Sequence, residues 1–430
     1  MSSSGRNGSA WRHVAPAGAP IRALDLIRAA GLALRGSEAG RALQREIARR
    51  FGVRHTFLTS TGRAGMTLLM RALGRAAAKP NPKDEVLVPA YTCYSVAASI
   101  VKAGLRPRLV DISPETLDFD REQLSSIDCS KVLAIVATNL YGLPNDLPWL
   151  SSFAQSRGIF LVDDAAQCMG AVVGGKASGT WGDAGLYSFD KGKNVSAIDG
   201  GVVVTNADVI GLAMSEELRQ LEAPGLAEAG MSAAKAIAYC AMLRPSLYWI
   251  PNRIPQLSLG KTVFTTEFAL ERPSAGLSAL AATMMPQLET FTAARVGNAA
   301  ALLTAMRPLS GIETIAPVHG STPVYLRLPI LIHDENARAH AIARLNAAGI
   351  GATASYPESL ADVPELRQYL AGGPTRVPGA RYIAKRIVTL PTHSFVNAED
   401  VSRAAEALGA ALERPGADGL AQAGGRAARA

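Results

Sequence analysis

Asp164 and Lys193 are the two side chains around which this sequence organises its chemistry. Asp164 closes an apolar run from Ile159 to Val162 that stops in two aspartates, Asp163 and Asp164. A second apolar run, Gly185 to Phe189, carries Ser188 and leads into an acid and two lysines, Lys191 and Lys193. A third, β-branched run from Val202 to Thr205 follows the glycine pair Gly200 and Gly201. Charged residues at strand ends are what an open α/β sheet needs at its ligand edge, because sites form beyond the carboxyl ends of parallel strands. An acid and an amine on separate strand ends suit pyridoxal phosphate: the lysine holds the aldehyde as a Schiff base and the carboxylate keeps the pyridine nitrogen protonated. Neighbouring strand residues face opposite ways, so only one of Asp163 and Asp164 reaches such a ring.

The elements that must position these groups alternate along the chain. Residues 55–78 read as a strand end, a glycine turn and a helix, with Met66, Leu69, Met70 and Leu73 at helical spacing. Thr61, Gly62 and Arg63 therefore stand where a helix begins, and the free backbone N–H groups there make a phosphate cradle. The competing reading is an ordinary capped helix start. Residues 84–104 give a strand, a proline turn and a helix, with Tyr91 and Tyr94 flanking Cys93. Residues 106–113 and 131–147 each give an apolar run ending in polar or turn residues, and this rhythm implies βαβ units with a mostly parallel sheet. The stretch from Gly276 to Met306 is helical in pattern and is kinked or split at Pro286, its methionine and aromatic stripe reading as core. The remainder, with a helix from Glu335 to Ala348, reads as a small α/β domain.

Composition narrows the class. With 48% hydrophobic residues over 430 positions, the chain can bury a full core. Residues 1–50 hold nine arginines against three acids; these are read as a loose terminus and a solvated helix face around Arg41 to Phe51, not as a nucleic-acid patch. Cys93, Cys129, Cys168 and Cys240 are scattered without metal-ligand spacing, which argues for reduced thiols in a cytoplasmic protein and against a metal site. No secretory signal is visible, and the apolar stretch Ala236 to Leu243 is too short to span a bilayer.

DDAAQ (163–167), SFDKGKN (188–194) and DGG (199–201), in that order and spacing, resemble the DegT/StrS-type nucleotide-sugar aminotransferases, a branch of the fold-type-I pyridoxal phosphate enzymes. The resemblance covers most of residues 40–300. It implies that Asp164 pairs with the pyridine nitrogen, Gln167 approaches the ring hydroxyl, Ser188 binds phosphate and Lys193 is the covalent lysine, with Asn194 beside it. It also places the phosphate on Thr61, Gly62 and Arg63, with Thr61 standing where serine is usual. An aromatic face on the ring is usual where Cys93 stands; either Tyr91 or Tyr94 supplies it here or neither does, a buried core tyrosine being the competing reading, and Tyr94 is the one carried into the candidate site. Asn139 replaces a usual histidine. Leu270 falls where an asparagine usually reaches the partner subunit's cofactor. His393 and Tyr356 resemble landmarks near substrate, but each reads first as structural.

The organisation expected is a flexible N-terminus (1–20), a large cofactor-binding domain (21–275) with an apolar insert near 233–259, a helix and small C-terminal domain (276–414), and a disordered tail (415–430). The resemblance implies amino transfer from an amino acid, glutamate, to a nucleotide-linked keto sugar by a homodimer. The insert, punctuated by Pro245, Pro251 and Pro255, is expected to form two short helices or a helix and an arm, which either is buried in this subunit's own core or packs on the partner subunit or on a membrane surface. Competing readings are a cofactor-binding regulator without turnover, and a sugar dehydratase, in which a histidine would replace Lys193. A nicotinamide enzyme would need G-x-G-x-x-G, which is absent.

Overall fold

The computed structural model describes residues 12–77, 83–249, 263–373 and 375–413. The tail after 415, residues 1–11 and the part of the insert beyond 249 lie outside the described residues.

Seven strands form the central sheet: β1 (His55–Thr59), β2 (Glu85–Pro89), β3 (Arg106–Val110), β4 (Val132–Thr138), β5 (Phe160–Asp164), β6 (Ala184–Ser188) and β7 (Gly201–Thr205). Their order is β1-β7-β6-β5-β4-β2-β3. Only β7 runs against the rest, pairing antiparallel with β1 and β6, while the other pairs are parallel. Apolar clusters cover both faces, which explains strands such as Val132–Thr138 that are buried at every position. Register brings Thr138 beside Asp164 and sets Thr59 and Ser188 on either side of Gly201. The polar ends of four strands and the glycine that opens β7 thus share one edge.

A second, three-stranded antiparallel sheet joins Ile312–Thr314, Arg327–Ile332 and Ile387–Pro391. Helices Leu288–Met306, Glu335–Ala347 and Ala398–Leu412 pack on it around a separate apolar cluster. At Pro286 the helix Ala275–Met284 gives way to a 3-10 turn, Met285–Gln287, before Leu288–Met306 begins. The split expected at that proline is observed, since its ring cannot accommodate the preceding turn's carbonyl.

The start of the chain corrects its reading as a loose terminus. Residues 12–20 form a strap packed against both sheets' surroundings, with Val14, Ala15 and Ala19 buried. Arg12 pairs with Asp400, Val14 bridges in parallel to Ile350, and His393 Nε2 meets the Ala15 carbonyl at 2.8 Å. The glycines, alanines and prolines that suggested looseness are small because the strap runs in close contact. A Cβ on Gly351 would lie 2.5 Å from Pro16 N, and one on Gly192 would lie 2.8 Å from the Ala17 Cβ. Helix Leu226–Met242 occupies the start of the insert, followed by turns to Trp249. No helix among the described residues is long and apolar enough to cross a membrane.

Candidate active site

Asp163 and Asp164 end β5 on opposite faces, and their partners separate their roles. The Asp163 carboxylate is fully buried and accepts from Gly179 N–H (2.6 Å), Trp181 N–H (3.2 Å) and Asn139 Nδ2 (2.8 Å). It is a structural anchor for the loop before β6, and Asn139, which also donates to the Asp164 carbonyl, is part of that anchor. The Asp164 carboxylate has one donor among the described residues, Ala166 N–H at 3.0 Å, and faces a cavity that Lys193 also lines. Burial pushes the Asp164 carboxyl up to about 6, with the Ala166 N–H and the charge of Lys193 pulling the other way. A buried carboxylate with so little compensation is suited to a cationic partner.

The cavity encloses about 350 Å³. Thr61, Gly62, Arg63 and Ser188 form its end at the helix Gly62–Ala76, where the Thr61 hydroxyl caps the helix by accepting from Ala64 N–H at 2.9 Å. Helix start and strand end are brought into contact by glycine. A Cβ on Gly62 would meet Ser188 Oγ at 3.2 Å, and one on Gly201 would sit 2.8 Å from both Thr59 Oγ1 and the Thr61 carbonyl. Free N–H groups beside two hydroxyls and a guanidinium make an anion cradle of phosphate size.

Lys193 reaches the cavity from a loop whose other lysine does not: Lys191 is exposed and borders a different cavity. The loop is held from behind by Arg295, one of the most deeply buried side chains in the chain. Its guanidinium donates to the carbonyls of Gly18 (2.6 Å), Leu326 (3.0 Å) and Lys193 itself (3.3 Å), and pairs with no carboxylate among the described residues. Burial drives its pKa down to about 10, Tyr239 opposing.

Three expected cofactor contacts do not line this cavity. Tyr94 is turned away, its hydroxyl engaged with both the carbonyl and N–H of Glu358 and its ring tilted against Tyr356. Cys93 takes the facing position as the residue before the helix Tyr94–Lys102. The helical turn carries the next side chain about 100° round, which corrects the stacking assignment. Gln167 is occupied elsewhere: its Oε1 accepts from Tyr141 N–H (3.0 Å) and its Nε2 donates to Tyr356 (2.9 Å). Asn194 is buried, and neither of its amide atoms has a hydrogen-bond partner among the described residues.

The sequence reading missed Asp199, which lines the cavity beside Arg63; burial and Asp190 raise its carboxyl to about 6. Its place in DGG was the signal: the next two glycines let it reach the edge. His393 is structural, its ring tied to the strap, with burial lowering it to about 4.

A seven-stranded sheet with one reversed strand, and a carboxylate and a lysine converging at its carboxyl edge, match the fold-type-I architecture of pyridoxal phosphate enzymes. Residues 21–409 match the DegT/DnrJ/EryC1/StrS aminotransferase family, and the chain belongs to it. It is 35% identical over 167 residues to UDP-N-acetyl-3-dehydro-α-D-glucosamine 3-aminotransferase of Acidithiobacillus ferrooxidans, covering 39% of this chain and 44% of that protein. To GDP-perosamine synthase of Vibrio cholerae it is 32% identical over 186 residues, 43% of this chain and 49% of that one. The chain thus spans less than half the length of these curated relatives. The solved structure of PseC from Helicobacter pylori, an aminotransferase involved in the biosynthesis of pseudoaminic acid, shares the fold with a TM-score of 0.75 at 15% identity, covering 94% of this chain and 100% of that one. Pyridoxal phosphate is the cofactor of this family. The uncompensated Asp164 carboxylate, the Gly62–Ser188 cradle and the lysine between them fit it.

Proposed function

We propose that this protein is a pyridoxal phosphate-dependent aminotransferase that takes an amino group from an amino acid, L-glutamate, and passes it to a keto sugar, nucleotide-linked. The observation that carries the reading is the convergence of Asp164, Lys193 and the Thr61–Arg63 helix start on one cavity. Lys193 holds the cofactor aldehyde, Asp164 the ring nitrogen, and Ser188 with Thr61, Gly62 and Arg63 the phosphate. Bound there, the cofactor supplies an electron sink that stabilises negative charge at the donor's α-carbon. With the cofactor bound, the Lys193 amine would hold and move the proton of that carbon as general base and acid. Asp164 stays ionised opposite the ring cation, which supplies the partner its burial lacks. Asp163 holds β5 in place and touches no reacting atom.

The four free thiols accord with a cytoplasmic setting, and a homodimer with sites near the subunit boundary completes the reading; sedimentation tests that assembly, and an active monomer removes it. The test of activity is an absorbance spectrum of purified protein before and after L-glutamate. A visible band that moves to the near-ultraviolet on adding donor supports an aminotransferase. A band that does not respond supports a binding protein without turnover.

A further inference from the structure

A second cavity, of about 630 Å³, lies on the other side of the loop that carries Lys193 and is bordered by Lys191 and Gly192. Its walls come from three distant parts of the chain. The strap contributes Val14, Pro16 and Ala17, the second sheet and its neighbouring turn contribute Arg327, Ile350 and Thr353, and the third wall is helix Leu226–Met242 with the turn after it. On that helix Lys235, Ala238 and Met242 are spaced at three and four residues, so they share one face toward the cavity. Tyr239, Leu243 and Tyr248 extend the same wall.

The charge in this cavity is one-sided. Lys191, Lys235 and Arg327 line it, and no aspartate or glutamate does among the described residues. None of the three cations forms an ion pair with a described residue, whereas arginines elsewhere on the surface, such as Arg49, Arg54 and Arg381, do. Arg327 is placed by a hydrogen bond to Thr353 Oγ1 at 3.0 Å. Three cations without an ion-pair partner among the described residues, around an aromatic and aliphatic wall, match an anion that carries an organic group.

We propose that this cavity binds an organic phosphate ester, with the phosphate among Lys191, Lys235 and Arg327 and the organic group on the Tyr239–Met242–Tyr248 wall. Two sources share that chemistry, a nucleotide and a polyisoprenyl phosphate lipid. The site adjoins the Lys193 loop but uses none of the residues assigned to the cofactor. The proposal therefore stands whether or not the protein transaminates.

The experiment is calorimetric titration of the holoprotein with inorganic phosphate, uridine monophosphate and geranyl phosphate, repeated on Lys235→Ala and Arg327→Met. Lys235 is exposed on a helix, so its alanine variant keeps the fold. At least one ester is expected to bind better than inorganic phosphate, and each variant to weaken it about tenfold, the loss of one charge-assisted contact. Tighter binding of uridine monophosphate identifies a nucleotide site, and tighter binding of geranyl phosphate a lipid site. The proposal is overturned if neither ester binds, if inorganic phosphate binds as well as both, or if Lys235→Ala binds like the unaltered protein. The donor-driven change of the cofactor band reports separately on the aminotransferase reading, because it depends on Lys193 and not on Lys235.

Discussion

The two cavities that meet at the Lys193 loop are built in opposite ways. The cofactor cavity sits where backbone elements end: β5, β6 and the start of the helix Gly62–Ala76 deliver Asp164, Ser188 and Thr61 by local geometry and register. The second cavity has no strand-end logic. It exists because the strap, the second sheet and helix Leu226–Met242, hundreds of residues apart, pack around a common space. A site of the first kind is written in short motifs with fixed spacing. A site of the second kind depends on long-range packing, which leaves only a composition of small and apolar residues in each segment.

Predictions that test this contrast begin at the motif-built cavity, where single changes should be most damaging. Lys193→Ala should remove the visible band and lower turnover by about 10⁴-fold or more, the upper range for a general acid–base residue. Borohydride reduction and peptide mapping of the unaltered protein should tag Lys193; a tag on Lys191 would move the site into the second cavity. Asp164→Asn should lower turnover by about 10³-fold, because charge stabilisation of the ring is lost while the fold persists. Asp163→Asn should act on stability instead, costing about 1–3 kcal/mol as its buried donors lose partners. Near-normal turnover in Asp164→Asn beside a dead Asp163→Asn would reverse the two assignments.

A middle-sized effect is expected at the boundary between the cavities. Arg295→Met leaves the carbonyls of Gly18 and Lys193 without the guanidinium donor and leaves that of Leu326 to the Thr392 hydroxyl alone. The strap and the loop should drift, and kcat should fall by about 10–100-fold with KM for glutamate changed less, as expected for a misplaced catalytic group. An unchanged kcat would show that the Lys193 loop holds its position without the strap.

The smallest effect concerns pH and the protein stripped of cofactor. The folded Asp164 carboxyl sits at about 6, above its usual 3.8, through burial. Such a group contributes stability that is fully present below the unfolded value and is lost as pH rises through the folded one. Asparagine suffers no such loss. The melting point of Asp164→Asn relative to the unaltered cofactor-free protein should therefore be a few degrees higher at about pH 7.5 than at about pH 4. A pH-independent difference would mean that the carboxylate is not desolvated in the folded chain.

Much of the candidate site was legible because its residues lie next to the elements that place them. Thr61, Gly62, Arg63, Asp164, Ser188 and Lys193 all line one cavity, as the family resemblance of their motifs implied. Tyr94 was misplaced by one residue: the choice between Cys93 and its neighbours turns on where a helix starts, and sequence marks such boundaries poorly. Gln167 was drawn away by Tyr141 and Tyr356, partners that no local pattern reveals.

The sequence by itself determined the alternation of strands and helices, the break at Pro286 and the pairing of an acid with a lysine across separate strands. Each follows from forces acting within a few residues: apolar periodicity, the missing N–H of proline and the turn that ends a strand. Tertiary structure alone decided that residues 12–20 are a packed strap, that Asp163 anchors the loop before β6, and that a buried arginine ties Lys193 to two distant carbonyls. Those outcomes depend on desolvation and on hydrogen-bond partners far away in the chain. Burial is a property of the assembled fold, and no single segment carries it.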